Sequence, residues 1–329
     1  MRATFKHLRI ANLILLAIVL YGGRIAKADV SFTFTTITDP NATGPTYVRS
    51  INNNGQVLGV YSDAAGTHAF VDSSGSFANI AFDSPPETSV VSFNDAGHIV
   101  GWYTDVYPSG ALGASHAYVY TNGTFTSFDF PGAPVYGGTQ AYAINDLGQI
   151  VGGYADGAGA QGFLYSSGTI NPLNLPFSLV TPAAINDKGE IVGQFGAGSS
   201  AASFLYANGT FTTIQDPNAT QGTCATGIND NGEIVGYFFD STGPHGFVDN
   251  GGVFTTINDP VGTGGTYLLG INDSGELLGS YTDRSGSHGF VAIDPPSSVP
   301  EPRTLPALAG CLAILPLIRY RRMRSGFSR

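Results

Sequence analysis

Residues 228–236 of this 329-residue chain read Ile-Asn-Asp-Asn-Gly-Glu-Ile-Val-Gly, and close variants of this stretch begin at five other positions. The asparagine at its second position recurs after 42, 51, 41, 43 and 43 residues, as Asn52, Asn94, Asn145, Asn186, Asn229 and Asn272. Repeat periods in the low forties are typical of β-propellers and related arrays. The chain is therefore predicted to be an array of six copies of one small unit.

A complete unit contains four short runs of β-branched and aromatic residues, separated by turns rich in Asn, Asp and Gly. In the third unit these runs cover 140–145, 148–156, 160–166 and 169–175. Such runs between turn signals indicate β-strands. Outside the two ends of the chain, no useful length of sequence has the period of an α-helix. The pattern predicts an all-β domain of four-stranded sheets over residues 29–295.

The strands are offset between the two ends of this domain. The last unit stops after three strands, at Ile293, whereas a spare strand over 32–37 precedes the first unit. A closed ring would use that spare strand to complete the last sheet and remove an open edge. We therefore predict a six-bladed β-propeller of four-stranded blades closed by the N-terminal strand. An open β-array of the same units is the alternative.

Two positions inside the unit carry a further prediction. A glycine recurs in the second strand, where close approach of a neighbouring group would explain the missing side chain. An aromatic residue recurs in the third strand, and Tyr118 comes six residues late, which places an insertion near 107–115 in the second unit. The glycines are Gly59, Gly101, Gly152, Gly193, Gly236 and Gly279, and the aromatics are Phe70, Tyr118, Phe163, Phe204, Phe247 and Phe290.

The third strands also carry a short His-containing motif. Variants of the tripeptide His68-Ala69-Phe70 occur at residues 116–118, 245–247 and 288–290. In units three and four, Gln161 and Ala202 replace the histidine. Over roughly 32–294 these repeats resemble the HAF family of extracellular repeats, which is named for the His-Ala-Phe tripeptide. The resemblance implies export and a repeat architecture, and it implies no particular reaction.

Residues 1–28 have the features of a signal peptide. Three basic residues open the chain, an apolar run over 10–21 follows, and Ala26 and Ala28 form the small-x-small pattern that signal peptidase accepts. Cleavage is predicted to leave Asp29 as the first residue. An N-terminal anchor helix is the alternative, although the apolar run is short for a membrane span.

The other end, residues 296–329, has three parts. Val299, Pro300, Glu301 and Pro302 precede an apolar stretch over 305–318, and an arginine cluster formed by Arg319, Arg321, Arg322 and Arg324 follows it. This order resembles the PEP-CTERM sorting signal of Gram-negative bacteria, which implies recognition by an exosortase and a surface or extracellular destination. The stretch of about 14 residues is shorter than the roughly 20 of a membrane span, which suits a transient transmembrane helix. An ordinary tail anchor is the alternative.

The domain between these ends is strongly acidic. All 24 Asp and Glu residues lie in 29–302, where the basic residues are only Arg49, Lys188 and Arg284, so this segment has a net charge of −21. Such a surface repels a phosphate backbone, which excludes nucleic acid as a partner. Divalent cations or basic partners would be attracted, although solubility alone also explains the charge.

The repeated histidines and acids are interpreted as structural. Equivalent positions on successive blades are too far apart to share one ion, and acids that follow the symmetry behave like turn-forming residues. Calcium binding by these acids is the alternative, and no cofactor or catalytic residue is predicted. The acids are Asp95, Asp146, Asp187, Asp230 and Asp273 in the first turn, and Asp63, Asp105, Asp156, Asp240 and Asp283 after the second strand.

A ligand site is expected where the symmetry is broken. Trp102 is the only Trp, Tyr103 follows it, Tyr107 lies in the inserted loop and Tyr136 lies in the longer connection after that unit. Aromatic side chains of this kind can stack on sugar rings, although a Trp in a strand often belongs to a core. Insertions on one face of a propeller often form the binding surface.

Two functions remain open from the sequence. The first is an exported, non-enzymatic surface or matrix protein that binds extracellular polysaccharide or another envelope component. The second is a carbohydrate-active enzyme, either a hydrolase or a lyase, because a propeller can host such chemistry and the fold alone does not exclude it.

Overall fold

The computed structural model describes residues 32–80, 88–133, 138–156, 159–177, 179–196 and 202–294. These residues form 24 β-strands in six antiparallel four-stranded sheets, and they contain no α-helix. Each sheet is one blade of a β-propeller, as the repeat period predicts.

The strands follow one another along the chain with short connections. In chain order they are β1 Thr33–Ile37, β2 Thr46–Ile51, β3 Val57–Asp63, β4 Gly66–Ser73, β5 Ser76–Ile80, β6 Thr88–Phe93, β7 Ile99–Val106, β8 Leu112–Thr121, β9 Thr124–Phe128, β10 Thr139–Ile144, β11 Ile150–Asp156, β12 Gly159–Ser166, β13 Thr169–Pro172, β14 Thr181–Ile185, β15 Ile191–Phe195, β16 Ala202–Ala207, β17 Thr210–Ile214, β18 Thr223–Ile228, β19 Glu233–Asp240, β20 Gly243–Asn250, β21 Val253–Ile257, β22 Thr266–Ile271, β23 Leu277–Asp283 and β24 Gly286–Ile293.

The ring closes through the first and last strands. Blades one to five are β2 to β5, β6 to β9, β10 to β13, β14 to β17 and β18 to β21, and the sixth has the order β1-β24-β23-β22. Strand β1 pairs antiparallel with β24, from Thr33 opposite Ile293 to Ile37 opposite Gly289. Phe34 packs edge-on against the buried Phe290, with ring centroids 5.2 Å apart. The predicted closure by the N-terminal strand is confirmed.

The antiparallel order gives the propeller two different faces. In every blade the turn after the first strand, which contains the Asn-Asp motif, and the turn after the third strand lie on one face, called here the motif face. The turn after the second strand and the connection to the next blade lie on the other, called here the linker face. The innermost strand of each blade therefore runs from the linker face to the motif face.

The recurring glycine and aromatic residue of each unit are directly opposite one another in the sheet. Gly59 pairs with Phe70, and the same pairing occurs in all six blades. All six aromatic side chains are completely buried. In the sixth blade, a β-carbon on Gly279 would meet the ring of Phe290 and approach the carbonyl oxygen of Tyr267 to 2.7 Å. The predicted close approach is confirmed. The neighbouring groups are the backbone of the first strand in every blade and, in most blades, the aromatic side chain as well.

The hydrophobic core lies between neighbouring blades. One cluster joins Ile37 of the closing strand and Leu278 of the sixth blade to Val48, Val57 and Phe70 of the first. Similar clusters join the other blades. Each Å2 of apolar surface that is buried at a junction stabilises the fold by about 25 cal/mol. The junctions therefore hold the ring together without a disulfide bond.

Among the predicted strand ends of the third unit, the largest difference is in β13. Strand β13 ends at Pro172 rather than at residue 175, and after it the backbone N–H of Leu173 still donates to the carbonyl oxygen of Gly162 at 2.8 Å. Strand β9 ends at Phe128, and the backbone N–H of Phe130 instead donates to the Thr139 hydroxyl at the start of the next blade. The insertion in the second unit appears as the long hairpin of β7 and β8.

Several predicted features lie outside the described residues. These are the signal peptide with Ala26 and Ala28, the sorting signal with Val299, Pro300, Glu301 and Pro302, and Tyr136. Within the described ranges, no helix has the length and apolarity to span a bilayer.

Candidate functional site in the central channel

The six innermost strands surround a central channel. Each innermost strand contacts the next along the chain, and β22 contacts β2, which completes the circle. Along the channel, side chains at equivalent positions form three tiers: a polar tier at the motif face, an apolar tier and a variable tier towards the linker face.

Asparagines of the repeated motif hold the polar tier together. The Oδ1 atom of Asn229 accepts the backbone N–H of Glu233 at 2.9 Å, which closes the turn. Its Nδ2 donates to the Glu233 carboxylate at 2.8 Å and to the carbonyl oxygen of Asn272 in the next blade at 3.1 Å. Because one buried amide serves its own turn and the neighbouring blade, the asparagine recurs in every unit. The residue four positions later is Glu in three units, Gln in two and His98 in the second.

The next residue of the motif forms a second ring of hydrogen bonds. The backbone N–H of Asp230 donates to the carboxylate of Asp273 at 2.8 Å. The N–H of Asp273 donates in turn to the side-chain oxygen of Asn53 at 2.9 Å, and the N–H of Asn53 donates to the carboxylate of Asp95 at 2.8 Å. Equivalent bonds run through the remaining blades, so six bonds close the circle. We expected these acids to form local turns; instead the asparagine closes the turn and the aspartate bonds to the next blade.

Five carboxylates consequently surround the motif-face opening. They line a cavity of about 90 Å3. Burial raises the pKa of Asp95 above its ordinary value, and the nearby charge of Asp146 adds to this effect. Burial likewise raises the pKa of Asp187, with contributions from Asp230 and Asp146. The opening is therefore an electronegative ring in which the carboxylates repel one another.

A ring of apolar side chains lies deeper in the channel. It is formed by the residue that precedes the asparagine in each motif, and every member is buried. These side chains line both the cavity at the motif face and the cavity of the variable tier, so they separate the two cavities. The members are Ile51, Phe93, Ile144, Ile185, Ile228 and Ile271.

The variable tier arises from a β-bulge in every innermost strand. Each strand has one residue more than its partner, as at Arg49, where Val48 pairs with Gly59 and Ser50 with Leu58. A bulge leaves its extra residue outside the regular alternation of side chains. The six bulge residues line a cavity of about 170 Å3. They are Arg49, Val91, Tyr142, Ala183, Thr226 and Leu269.

The structure separates the aromatic residues that the sequence singled out. Trp102 packs edge-on against Tyr142 at a centroid distance of 5.9 Å, beside the variable tier. Tyr103 instead stacks on His116 at 5.1 Å, and Tyr107 lies 40% exposed at the inserted hairpin of the linker face. Of these three described residues, only Trp102 is placed against a side chain of the channel.

Each repeated histidine bonds to an acid of its own blade. His68 lies 2.9 Å from Asp63, which also accepts the backbone N–H groups of Ala65 and Gly66. His245 and His288 have the same arrangement, and aromatic rings stack on all four histidines. These contacts agree with the structural interpretation of the motif.

Two of the paired acids have strongly altered pKa values. A hydrogen bond from the Thr242 hydroxyl, followed by one from its backbone N–H, lowers the pKa of Asp240 to about 2. The Ser285 hydroxyl and backbone N–H lower that of Asp283 to about 2 in the same way. Both carboxylates therefore stay ionised in the folded protein down to acidic pH.

Within the described ranges, no group of three or more His, Cys, Asp or Glu side chains is close enough to hold a metal ion. Calcium binding by the acids remains the alternative to their structural role.

The variable tier was missed by the sequence analysis. Arg49 and Tyr142 occupy the position three residues before the motif asparagine, which differs in all six units. That difference beside the most regular stretch of the repeat is the signal that could have identified them.

No protein-family model matches the chain, and no curated protein is similar to it in sequence. Among solved structures, the β-propeller domain of the Trilobed protease from Pyrococcus furiosus superposes with a TM-score of 0.51 at 11% identity, over 78% of this chain and 82% of that one. TolB from Acinetobacter baumannii gives 0.46 at 12% identity, over 76% of this chain and 55% of that one, so this chain spans about half of TolB. A glucose dehydrogenase gives 0.48 at 9% identity, over 80% and 100%. At this identity the similarity to the propeller domain of the Trilobed protease shows the fold alone.

Proposed function

We propose that this chain is an exported, non-enzymatic binding module for extracellular polysaccharide or another envelope component of a Gram-negative bacterium. The observation that carries the proposal is the contrast within the channel. The polar and apolar tiers repeat almost unchanged around the ring, whereas every blade places a different side chain in the variable tier. Closure of the ring does not require a different side chain in each blade. Binding of a ligand without sixfold symmetry does require such differences.

The ends of the chain support the exported location. A signal peptide cut after Ala28 and a sorting signal at Val299 to Pro302 would deliver the domain to the surface or the medium through signal peptidase and an exosortase. We expect mass spectrometry of the protein recovered from the cell surface and the medium to find Asp29 at the N-terminus and a C-terminus near Pro302. Recovery only from the cytoplasm, with both ends intact, would contradict export.

The binding function is tested on the same recovered protein. We expect it to be retained by immobilised exopolysaccharide or envelope fractions of its host, and a heat-unfolded sample serves as the control. Parallel assays with calcium and with a chelator determine whether the acids act through that ion. Failure to bind any fraction under both conditions would refute the proposal. Release of new reducing ends or unsaturated products would instead favour the hydrolase or lyase alternative.

A further inference from the structure

Arg49 is an unpaired cation in a strongly acidic domain. It is one of three basic residues between positions 29 and 302, which include all 24 acids. It is exposed and lines the variable-tier cavity. Among the described residues, its guanidinium forms no ion pair or hydrogen bond, since the ion pairs there all involve histidine. Its five donors are therefore available to a ligand in the channel.

Tyr142 provides a fixed aromatic surface in the same cavity. Its hydroxyl donates to the Gln140 side-chain oxygen at 2.9 Å, and Trp102 packs edge-on against its ring. Gly153 leaves room for the ring, because a β-carbon there would lie 2.9 Å from two of its atoms. Tyr142 also lines a second cavity of about 110 Å3 towards the linker face, together with Tyr154 and Gln140. The ring is thus held from several sides.

The two faces of the propeller present different surroundings to an anion that approaches Arg49. The five carboxylates surround the motif-face opening, and the apolar ring separates that opening from the variable tier. At physiological ionic strength, exposed charges are screened beyond about 8 Å. An anion entering from the linker face therefore avoids the five carboxylates of the motif-face opening. The acids at the turns of the linker face, Asp63, Asp105, Asp240 and Asp283, are each paired with a histidine.

We propose that the variable tier binds a sugar carrying a carboxylate, with Arg49 pairing with the carboxylate and Tyr142 packing against the sugar ring. Arginine matches a carboxylate through two parallel hydrogen bonds, and an aromatic face packs well on the apolar face of a pyranose. The cavity of about 170 Å3 is slightly larger than the roughly 150 Å3 that admits a benzene-sized ring, so it admits a pyranose ring whose substituents extend along the channel. The inference rests on the proposed polysaccharide-binding function and names the class of sugar.

The experiment titrates the processed protein with galacturonate, glucuronate and mannuronate, and with the neutral sugars galactose, glucose and mannose as matched probes. Calorimetry measures binding, and the fluorescence of Trp102, the only tryptophan, reports on Tyr142 beside it. We expect at least one uronate to bind about tenfold or more tightly than its neutral counterpart. Absence of saturable binding by all three uronates, or equal binding of the neutral sugars, would overturn the inference.

Matched variants assign the effect to Arg49. Arg49→Gln should abolish the preference for the uronate, and Arg49→Lys should retain part of it, because lysine keeps the charge but lacks the paired donors. Arg284→Gln removes the same charge from an exposed turn of the linker face and should leave binding unchanged. Thermal melts confirm that each variant is folded. Uronate binding by a folded Arg49→Gln protein at the parent's affinity would contradict the assignment.

The inference and the proposed function can fail separately. Retention of the host polysaccharide by the parent and by Arg49→Gln alike would refute the site while leaving polysaccharide binding intact. Binding of free uronates without retention of any polysaccharide or envelope fraction would support the site and refute the broader function.

Discussion

At the scale of single residues, each blade depends on a glycine that leaves room for an aromatic ring. The pair is directly cross-strand in all six blades, and the ring is completely buried in each. A strand interior normally disfavours glycine because of its conformational freedom. The loss is offset here because the aromatic side chain covers the gap and packs into the interface between blades.

We predict that Gly279→Ala destabilises the protein. The added β-carbon would meet the buried ring of Phe290 and the backbone of Tyr267, and overpacking of this kind costs about 1–3 kcal/mol. Gly270→Ala in the same blade is the matched control, because its β-carbon would lie 3.5 Å from the nearest atom, in ordinary contact. Urea unfolding measures both, and equal stability of the two variants would show that the pairing is dispensable.

The ion pairs of His116 make a second residue-scale prediction. Burial lowers the pKa of His116, but hydrogen bonds to Asp129 and Asp105 outweigh it and raise the pKa above the usual value. A histidine whose pKa is higher in the folded state than in the unfolded state stabilises the fold when it is protonated. This stabilisation is complete at pH values below the unfolded-state pKa of about 6.5, and it is lost as the pH rises through the folded-state pKa.

Asp129→Asn should therefore lower the pKa of His116 and reduce the stability of the fold most at pH values below about 6.5. NMR titration of the histidine ring measures the pKa, and thermal melts at pH 5 and pH 9 measure the stability. His68 has a single acid partner and serves as an internal reference. A variant whose His116 titrates as in the parent would show that Asp129 does not hold the proton.

At the scale of the strand, the ring is held by one non-covalent junction between distant parts of the chain. Strand β1 is separated from β24 by the rest of the domain, and its pairing partners all lie in that last strand. Loss of β1 would expose the edge of β24, and unpaired edges of this kind invite association with other chains.

A disulfide bond between β1 and β24 should stabilise the closed ring. Thr33 and Ile293 are direct cross-strand partners and both are exposed, so cysteines at these positions can react without disturbing the core. Cross-links that close long loops typically add about 2–4 kcal/mol. We expect the oxidised Thr33→Cys/Ile293→Cys protein to melt at a higher temperature than its own reduced form. Identical melting would mean that opening of this junction does not limit stability.

At the scale of the whole molecule, the motif-face end of the channel joins the blades to one another. At the motif face, six hydrogen bonds between consecutive Asp or Asn residues and a parallel set of asparagine bonds join every blade to the next. Asn53 occupies the carboxylate position in the first blade and still accepts the bond from Asp273 at 2.9 Å. The ring therefore requires an acceptor at each position, and the negative charge is not needed for closure.

We predict that Asp187→Asn stabilises the protein at pH 7. Its raised pKa means that ionisation works against the folded state, so removing the charge should help above that pKa and make no difference below it. Asp187→Ala is the comparison, because it removes the acceptor of the Asp146 N–H and should cost about 1 kcal/mol. Calorimetry between pH 3 and pH 7 measures both. A less stable Asn variant at pH 7 would indicate that the carboxylate has a favourable partner, such as a cation.

The amino-acid sequence by itself determined the number of blades, the four strands of each blade and the closure by residues 32–37. These features depend on local turn chemistry and on a repeat that occurs six times, so each copy confirms the others. It also indicated the role of Gly152 and its equivalents, because a missing side chain in a strand implies a close neighbour.

Only the tertiary structure showed what meets at the centre. Arg49 and Tyr142 are 93 residues apart and belong to different blades, and no local pattern indicates that their bulges line one cavity. The structure also showed that the asparagine closes the turn and bonds to the next blade, and that the aspartate bonds to the next blade as well. Which residues meet across a junction between blades depends on how the six sheets pack around the ring. The local sequence around each residue does not contain that information.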